Sequence, residues 1–179
     1  MPGAFHPWYN NEQMLHKIKH LSKYRSRNIW RLLYGSKWVA AGAIIFDEDG
    51  RLLLIKHRWR REWEYPVGAS DGRESPLEAA RREVGEEVGL QPDNYQLLGV
   101  DFFHRRTPNG NLVFTFAATV DAHQSAGLRL DTFEATDYRW VTREEALALI
   151  SPRLKHRFQE LLKAYDHGTP VYLQTGRAV

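Results

Sequence analysis

The sequence predicts an α/β fold, a sandwich of sheet and helices, and three observations carry that expectation. Strand-like runs and helical periodicities interleave along 179 residues without an internal repeat. Two apolar runs flank Asp49-Gly50, a strong hairpin turn signal. Residues 76–88 lie between complete helix start and stop signals.

Taken in order, residues 11–33 place Leu15, Ile18 and Leu21, then Ile29, Leu32 and Leu33, at helical spacing with basic residues between them. One broken helix or two short ones are expected there, ahead of the main domain. Residues 38–57 read as a hairpin around Asp49-Gly50. WRREWEYPVGASDGRE, rich in Gly, Pro, Asp and Ser, reads as a loop. Ser75 is then the N-cap, Pro76 the first helical residue and Glu78 the third, and Gly89 supplies the stop, so a helix is predicted over 76–88. YQLLGVDFF and NLVFTFAATV read as strands joined by a turn at Pro108-Asn109-Gly110, and DYRWV as a short strand. Residues 143–165 read as a helix interrupted at Pro152. The expected division is a basic helical extension at 1–36, one domain at 37–165 and a C-terminal tail at 166–179.

The composition, 42% hydrophobic and 26% charged with six tryptophans, fits one globular domain and excludes a disordered or fibrous chain. No cysteine is present, which removes disulfides, thiolate metal sites and cysteine nucleophiles and favours a reducing cytoplasm. The longest apolar runs, such as residues 39–46, fall well short of the ~20 residues that cross a bilayer. MPGAFHPWYN lacks the apolar stretch of a secretory signal, so no export is expected. The net charge of +3 conceals an asymmetry, since residues 1–40 carry seven Lys or Arg against Glu12 alone.

RREVGEEVGL, residues 81–90, places Glu83, Glu86 and Glu87 close together around Gly85. Like charges at this spacing repel by a few tenths of a kcal/mol per pair, and an interior glycine costs about 1 kcal/mol against alanine. At 100° per residue the three carboxylates share one face beside an apolar stripe of Leu77, Ala80, Val84 and Val88. Arg82 is placed to pair with one of them. Oxygen ligands without His or Cys suit a hard cation, Mg²⁺ or Mn²⁺, which would offset the repulsion.

The wider spacing reads Gly68, five residues, Glu74, seven residues, Arg82-Glu83-Val84, one residue, Glu86-Glu87, one residue, Gly89-Leu90. This resembles the box of the Nudix hydrolase family at every specified position, and a random match has a chance below roughly 10⁻⁷. Val67 departs from the family, whose members commonly carry glycine there. The resemblance implies an α/β/α sandwich around a mixed β-sheet. It also implies water attack on a phosphoanhydride of a nucleoside diphosphate linked to a moiety X. By the same resemblance, Glu83, Glu86 and Glu87 are metal ligands with the Gly68 carbonyl as a further one, and Glu74 and Arg82 are an orienting pair. The general base is either helix carboxylate Glu87 or a later loop acid, Glu134, with Asp131 and Asp137 as competitors.

Phosphates need cations, and Arg58, Arg60, Arg61 and Arg106 fall near the expected cleft mouth. Trp63 and Trp140 are expected in the core, and the eight histidines, which lack metal-ligand spacing, are read as structural or exposed. The isomerase that shares this fold relies on a catalytic cysteine, absent here. The basic segment supports a second reading, an RNA 5′-end pyrophosphohydrolase or RNA-binding Nudix protein. Its helical spacing favours packing on the domain or against a second subunit in a homodimer.

Overall fold

A computed structural model describes residues 37–59, 61–104 and 110–179. The helical extension at 1–36, Arg60, Arg106 and the turn residues Pro108 and Asn109 lie outside the described residues.

The chain forms a mixed sheet with helices on both faces. Its elements are β1 (Trp38–Phe46), β2 (Leu52–His57), β3 (Trp63–Glu64), β4 (Val67–Ala69), α1 (Pro76–Val88), β5 (Gln96–Phe103), β6 (Asn111–Thr119), α2 (Ala122–Ala126), β7 (Ala135–Val141), α3 (Arg143–Leu149), α4 (Pro152–His167), β8 (Val171–Gln174) and β9 (Arg177–Ala178). The path runs β3-β2-β1-β6-β5-β8-β9, with β4 on β1 and β7 on β2. β1–β6 and β5–β8 are parallel pairs, and the others are antiparallel.

Strand alternation builds the two cores. Ile44, Phe46, Leu52 and Leu54 face α3 and α4 through Ala146, Ile150, Phe158, Leu161 and Leu162. Ala43, Ile45, Leu53 and Ile55 face α1 through Ala79, Ala80, Val84 and Val88. Trp63 is buried in the first core as expected, with the Arg139 guanidinium 4.7 Å from its ring centroid, and Trp140 packs against the second.

The hairpin differs from its local reading. β1 and β2 share a single aligned pair, Phe46↔Leu52. Beyond it β1 pairs with β4 over Ala40–Gly42, and β2 pairs with β7 over its whole length. Asp47, rather than Asp49, organises the connection, its Oδ1 accepting from the backbone N–H of Asp49 and Arg51 at 3.1 and 2.8 Å. Residues 166–179, expected as a tail, contain β8 and β9, which extend the sheet beyond β5. No helix among the described residues is long and apolar enough to cross a membrane.

α1 begins and ends as its capping signals require. The Ser75 side chain accepts from the Glu78 backbone N–H while the Glu78 carboxylate accepts from that of Ser75, and Gly89 closes the helix at φ 68°. Gly85 answers to no such need, because a β-carbon there would meet nothing within 4 Å. Gly85→Ala is therefore expected to stabilise the fold by about 0.5–1 kcal/mol, read as a higher midpoint in urea at unchanged slope.

Candidate active site

The apolar stripe of α1 fixes where its acids lie. With Val84 and Val88 buried against the sheet, Glu83 and Glu87 are carried into the boundary and are only 8% and 2% exposed. Glu86, further round the helix, has a side chain 60% exposed. Gly68 of β4 lies directly beneath Glu83, where a β-carbon would sit 2.2 Å from the carboxylate carbon. Glycine at this position is what lets helix and strand close on the acid.

Arg82 organises the cluster. Its Nε and Nη2 donate to the two oxygens of Glu74 at 2.7 and 3.1 Å, a bidentate pairing. Its Nη1 donates to Glu83 Oε1 at 2.7 Å and to Glu86 Oε2 at 2.9 Å, and Nη2 also reaches the Ala69 carbonyl at 3.0 Å. One guanidinium thus touches three carboxylates and the residue after Gly68. On the far side, the Val67 backbone N–H donates to Glu87 Oε2 at 3.1 Å.

These acids are short of positive charge. Burial raises the Glu83 carboxyl above its ordinary range, with Glu86 and Glu134 adding to the effect and Arg82 opposing it. Glu87 is raised well above that range by burial first, then by Glu83 and Glu134, against the Val67 N–H. Of the loop acids, Glu134 is the one whose charge bears on both Glu83 and Glu87. The other two loop acids accept local backbone N–H groups. Asp131 Oδ1 accepts from Phe133 N–H at 2.8 Å, and Asp137 Oδ1 accepts from Tyr138 N–H at 2.9 Å on an exposed strand.

The Glu134 loop is docked on the end of α1, where the backbone N–H groups of Arg129 and Asp131 donate to the Val88 and Glu87 carbonyls at 2.9 Å each. Arg58 clamps its other side, with its backbone N–H donating to the Glu134 carbonyl at 2.9 Å. The Arg58 guanidinium donates to the Phe133 and Thr132 carbonyls at 3.3 and 2.6 Å. Arg58, expected to meet phosphate, places its Nε and Nη2 on the loop. Arg61 is exposed; Arg60 and Arg106 fall outside the description.

One neighbour escaped the sequence reading. His57, taken as structural or exposed, places Nε2 4.0 Å from Glu87 Oε1. Strand alternation held the signal, since Leu53, Ile55 and His57 share the face that packs on α1.

Among the described residues no three acidic or imidazole side chains converge on one point, and Arg82 stands between Glu83 and Glu86. An oxygen-only donor set in which two buried carboxyls share a neighbourhood of negative charge with Glu134 nevertheless fits a hard divalent cation. A family model described as the NUDIX domain matches residues 36–162. The chain belongs to the Nudix family. It is accordingly a pyrophosphohydrolase acting on acid anhydrides, in a family whose hydrolases generally use divalent metal ions. A MutT-like protein of Streptomyces ambofaciens is 30% identical over 133 residues, 74% of this chain and 79% of that one. An RNA pyrophosphohydrolase of Halorhodospira halophila is 41% identical over 58 residues, 32% of each chain. The C. elegans Ap4A hydrolase structure shares the Nudix fold at TM-score 0.60 and 20% identity, covering 73% of this chain and 98% of that one.

Proposed function

We propose that this Nudix domain hydrolyses the diphosphate of a nucleoside diphosphate linked to a second group X, using Mg²⁺ or Mn²⁺. The observation that carries the reading is the pair of buried carboxylates, Glu83 and Glu87, raised by burial and by Glu134, with Glu83 tied to Glu74 and Glu86 through Arg82. Glu83, Glu86, Glu87 and the Gly68 carbonyl would hold the ion, which when bound polarises phosphoryl oxygens and lowers the pKa of water. Arg82 and Glu74 keep the ligand face in one arrangement. Glu134, half-buried on a loop rather than enclosed, takes the proton of the attacking water. That water adds to phosphorus, the bridging P–O bond breaks, and two phosphate-bearing products leave. Arg61, with Arg60 and Arg106, supplies positive charge to the diphosphate.

The test is a panel of nucleoside diphosphate-linked compounds with Mg²⁺ or Mn²⁺, scored by product identity. Glu134→Gln is expected to lower kcat by about 10²–10⁴-fold. Thermal shift should show that it keeps the stabilisation by Mg²⁺. Near-normal turnover would return the base to Glu87.

A second reading, removal of pyrophosphate from an RNA 5′ end, is favoured by the likeness to RNA pyrophosphohydrolases and by the basic residues 1–40. Including 5′-triphosphorylated RNA in the panel, at several salt concentrations, separates the two. RNA cleavage with a steep salt dependence supports this reading.

A further inference from the structure

We propose that Trp59, braced by Phe133, is the stacking platform for the nucleobase of the substrate, an inference that rests on the nucleotide reading above. Trp59 is 67% exposed, an unusual position for so large an apolar ring. It is nonetheless held, with the Phe133 ring edge-on at 5.8 Å between centroids and 73° between planes.

Phe133 is fixed in turn. Its backbone N–H donates to Asp131 Oδ1 at 2.8 Å, and its carbonyl accepts from Arg58 Nε at 3.3 Å. An aromatic face ordered before the ligand arrives loses little entropy when a base stacks on it. The next residue is Glu134, the acid beside Glu83 and Glu87, and its carbonyl accepts from the backbone N–H of Arg58, the neighbour of Trp59. Platform and acid are therefore tied to each other through two adjacent chain segments. Exposed Arg61 follows two residues later, with positive charge suited to the phosphates of the same ligand. Since every base has a π-face, such a platform binds purines and pyrimidines alike.

The test is calorimetric binding of methylene-bridged ADP and UDP, and of inorganic pyrophosphate, each with Mg²⁺. The proteins are wild type, Trp59→Ala, Trp59→Phe and, as an exposed aromatic elsewhere, Tyr172→Ala. Trp59→Ala should weaken both nucleotide analogues about tenfold or more and leave pyrophosphate affinity unchanged. Trp59→Phe should retain part of the binding, and Tyr172→Ala all of it. Analogue affinity unchanged in Trp59→Ala, equal losses for analogue and pyrophosphate, or no analogue binding by wild type would overturn the platform. Binding that depends on Trp59 without any hydrolysis would sink the hydrolase reading and uphold the platform. Hydrolysis indifferent to Trp59 would do the reverse. A parallel titration with 5′-triphosphorylated RNA shows whether the platform also takes an RNA end, in which case Trp59→Ala weakens the RNA as well as the two analogues.

Discussion

Glu87→Gln is expected to abolish turnover while making the metal-free protein more stable. The carboxyl is raised well above its reference of 4.5 in the folded state by burial, Glu83 and Glu134. Between the unfolded value and the raised folded value, the native state holds a proton that the unfolded state has released. Stability therefore falls as pH rises through that window, and above the folded value the penalty is complete. Glu83 acts in the same direction. Glutamine removes the ionisation but keeps an oxygen that can accept from Val67 N–H. At pH 8 the metal-free variant should melt at a higher temperature than wild type, and the gain should vanish below pH 4.5. Wild type should recover the difference on adding Mg²⁺, and the variant should recover less, because binding to the folded state alone stabilises it. Turnover in the variant should drop by at least about 10²–10³-fold. Melting curves with and without Mg²⁺ across this pH range check all of it. A variant less stable than wild type at pH 8 without metal would refute the account of the site as a charge excess awaiting a cation.

Arg157→Ala is expected to have the largest effect on folding. Asp101 on β5 is buried, and its Oδ2 accepts from Arg157 Nε and Nη2 of α4, both at 2.6 Å. Its Oδ1 accepts from the Gly176 backbone N–H at 3.0 Å, in the turn between β8 and β9. One carboxylate thus joins α4, the sheet and the C-terminal hairpin, and the guanidinium also lies 5.0 Å from the Phe103 ring centroid. Truncating the arginine leaves a buried charge with a single backbone donor, a change that costs about 3–5 kcal/mol. At roughly 2–4 °C per kcal/mol, the melting temperature should fall by about 6–20 °C. The double variant Asp101→Asn with Arg157→Met should recover much of the loss, because the uncompensated charge is gone. A fall below about 1 kcal/mol in the single variant would show that water reaches Asp101.

The acidic helix could be read almost completely beforehand, since each signal lies within a few turns of its target. Ser75, Pro76 and Glu78 start it and Gly89 stops it, and the 3.6-residue period puts Glu83 and Glu87 on the face later found buried. The bidentate pairing of Arg82 with Glu74 was implied by the resemblance of the box spacing, across eight residues. Glu134 was put ahead of Asp131 and Asp137 on sequence position alone, whereas the bearing of its charge on Glu83 and Glu87 depends on the folded loop. The contacts of Arg58 could not be read beforehand, because its guanidinium partners, Thr132 and Phe133, lie more than seventy residues away.

Local order therefore determined the caps, the apolar stripe, the carboxylate face and the family, because backbone period and residue spacing act over one to eight positions. Tertiary structure decided which strands pair, with β2 leaving β1 for β7 and β8 joining β5. It also decided that His57 lies beside Glu87, that the Arg58 guanidinium reaches the loop at Thr132, and that an exposed Trp59 packs edge-on against Phe133. These outcomes depend on closing loops of tens of residues around a shared core. Their stabilisation is spread over many contacts, and no short stretch of the chain encodes it.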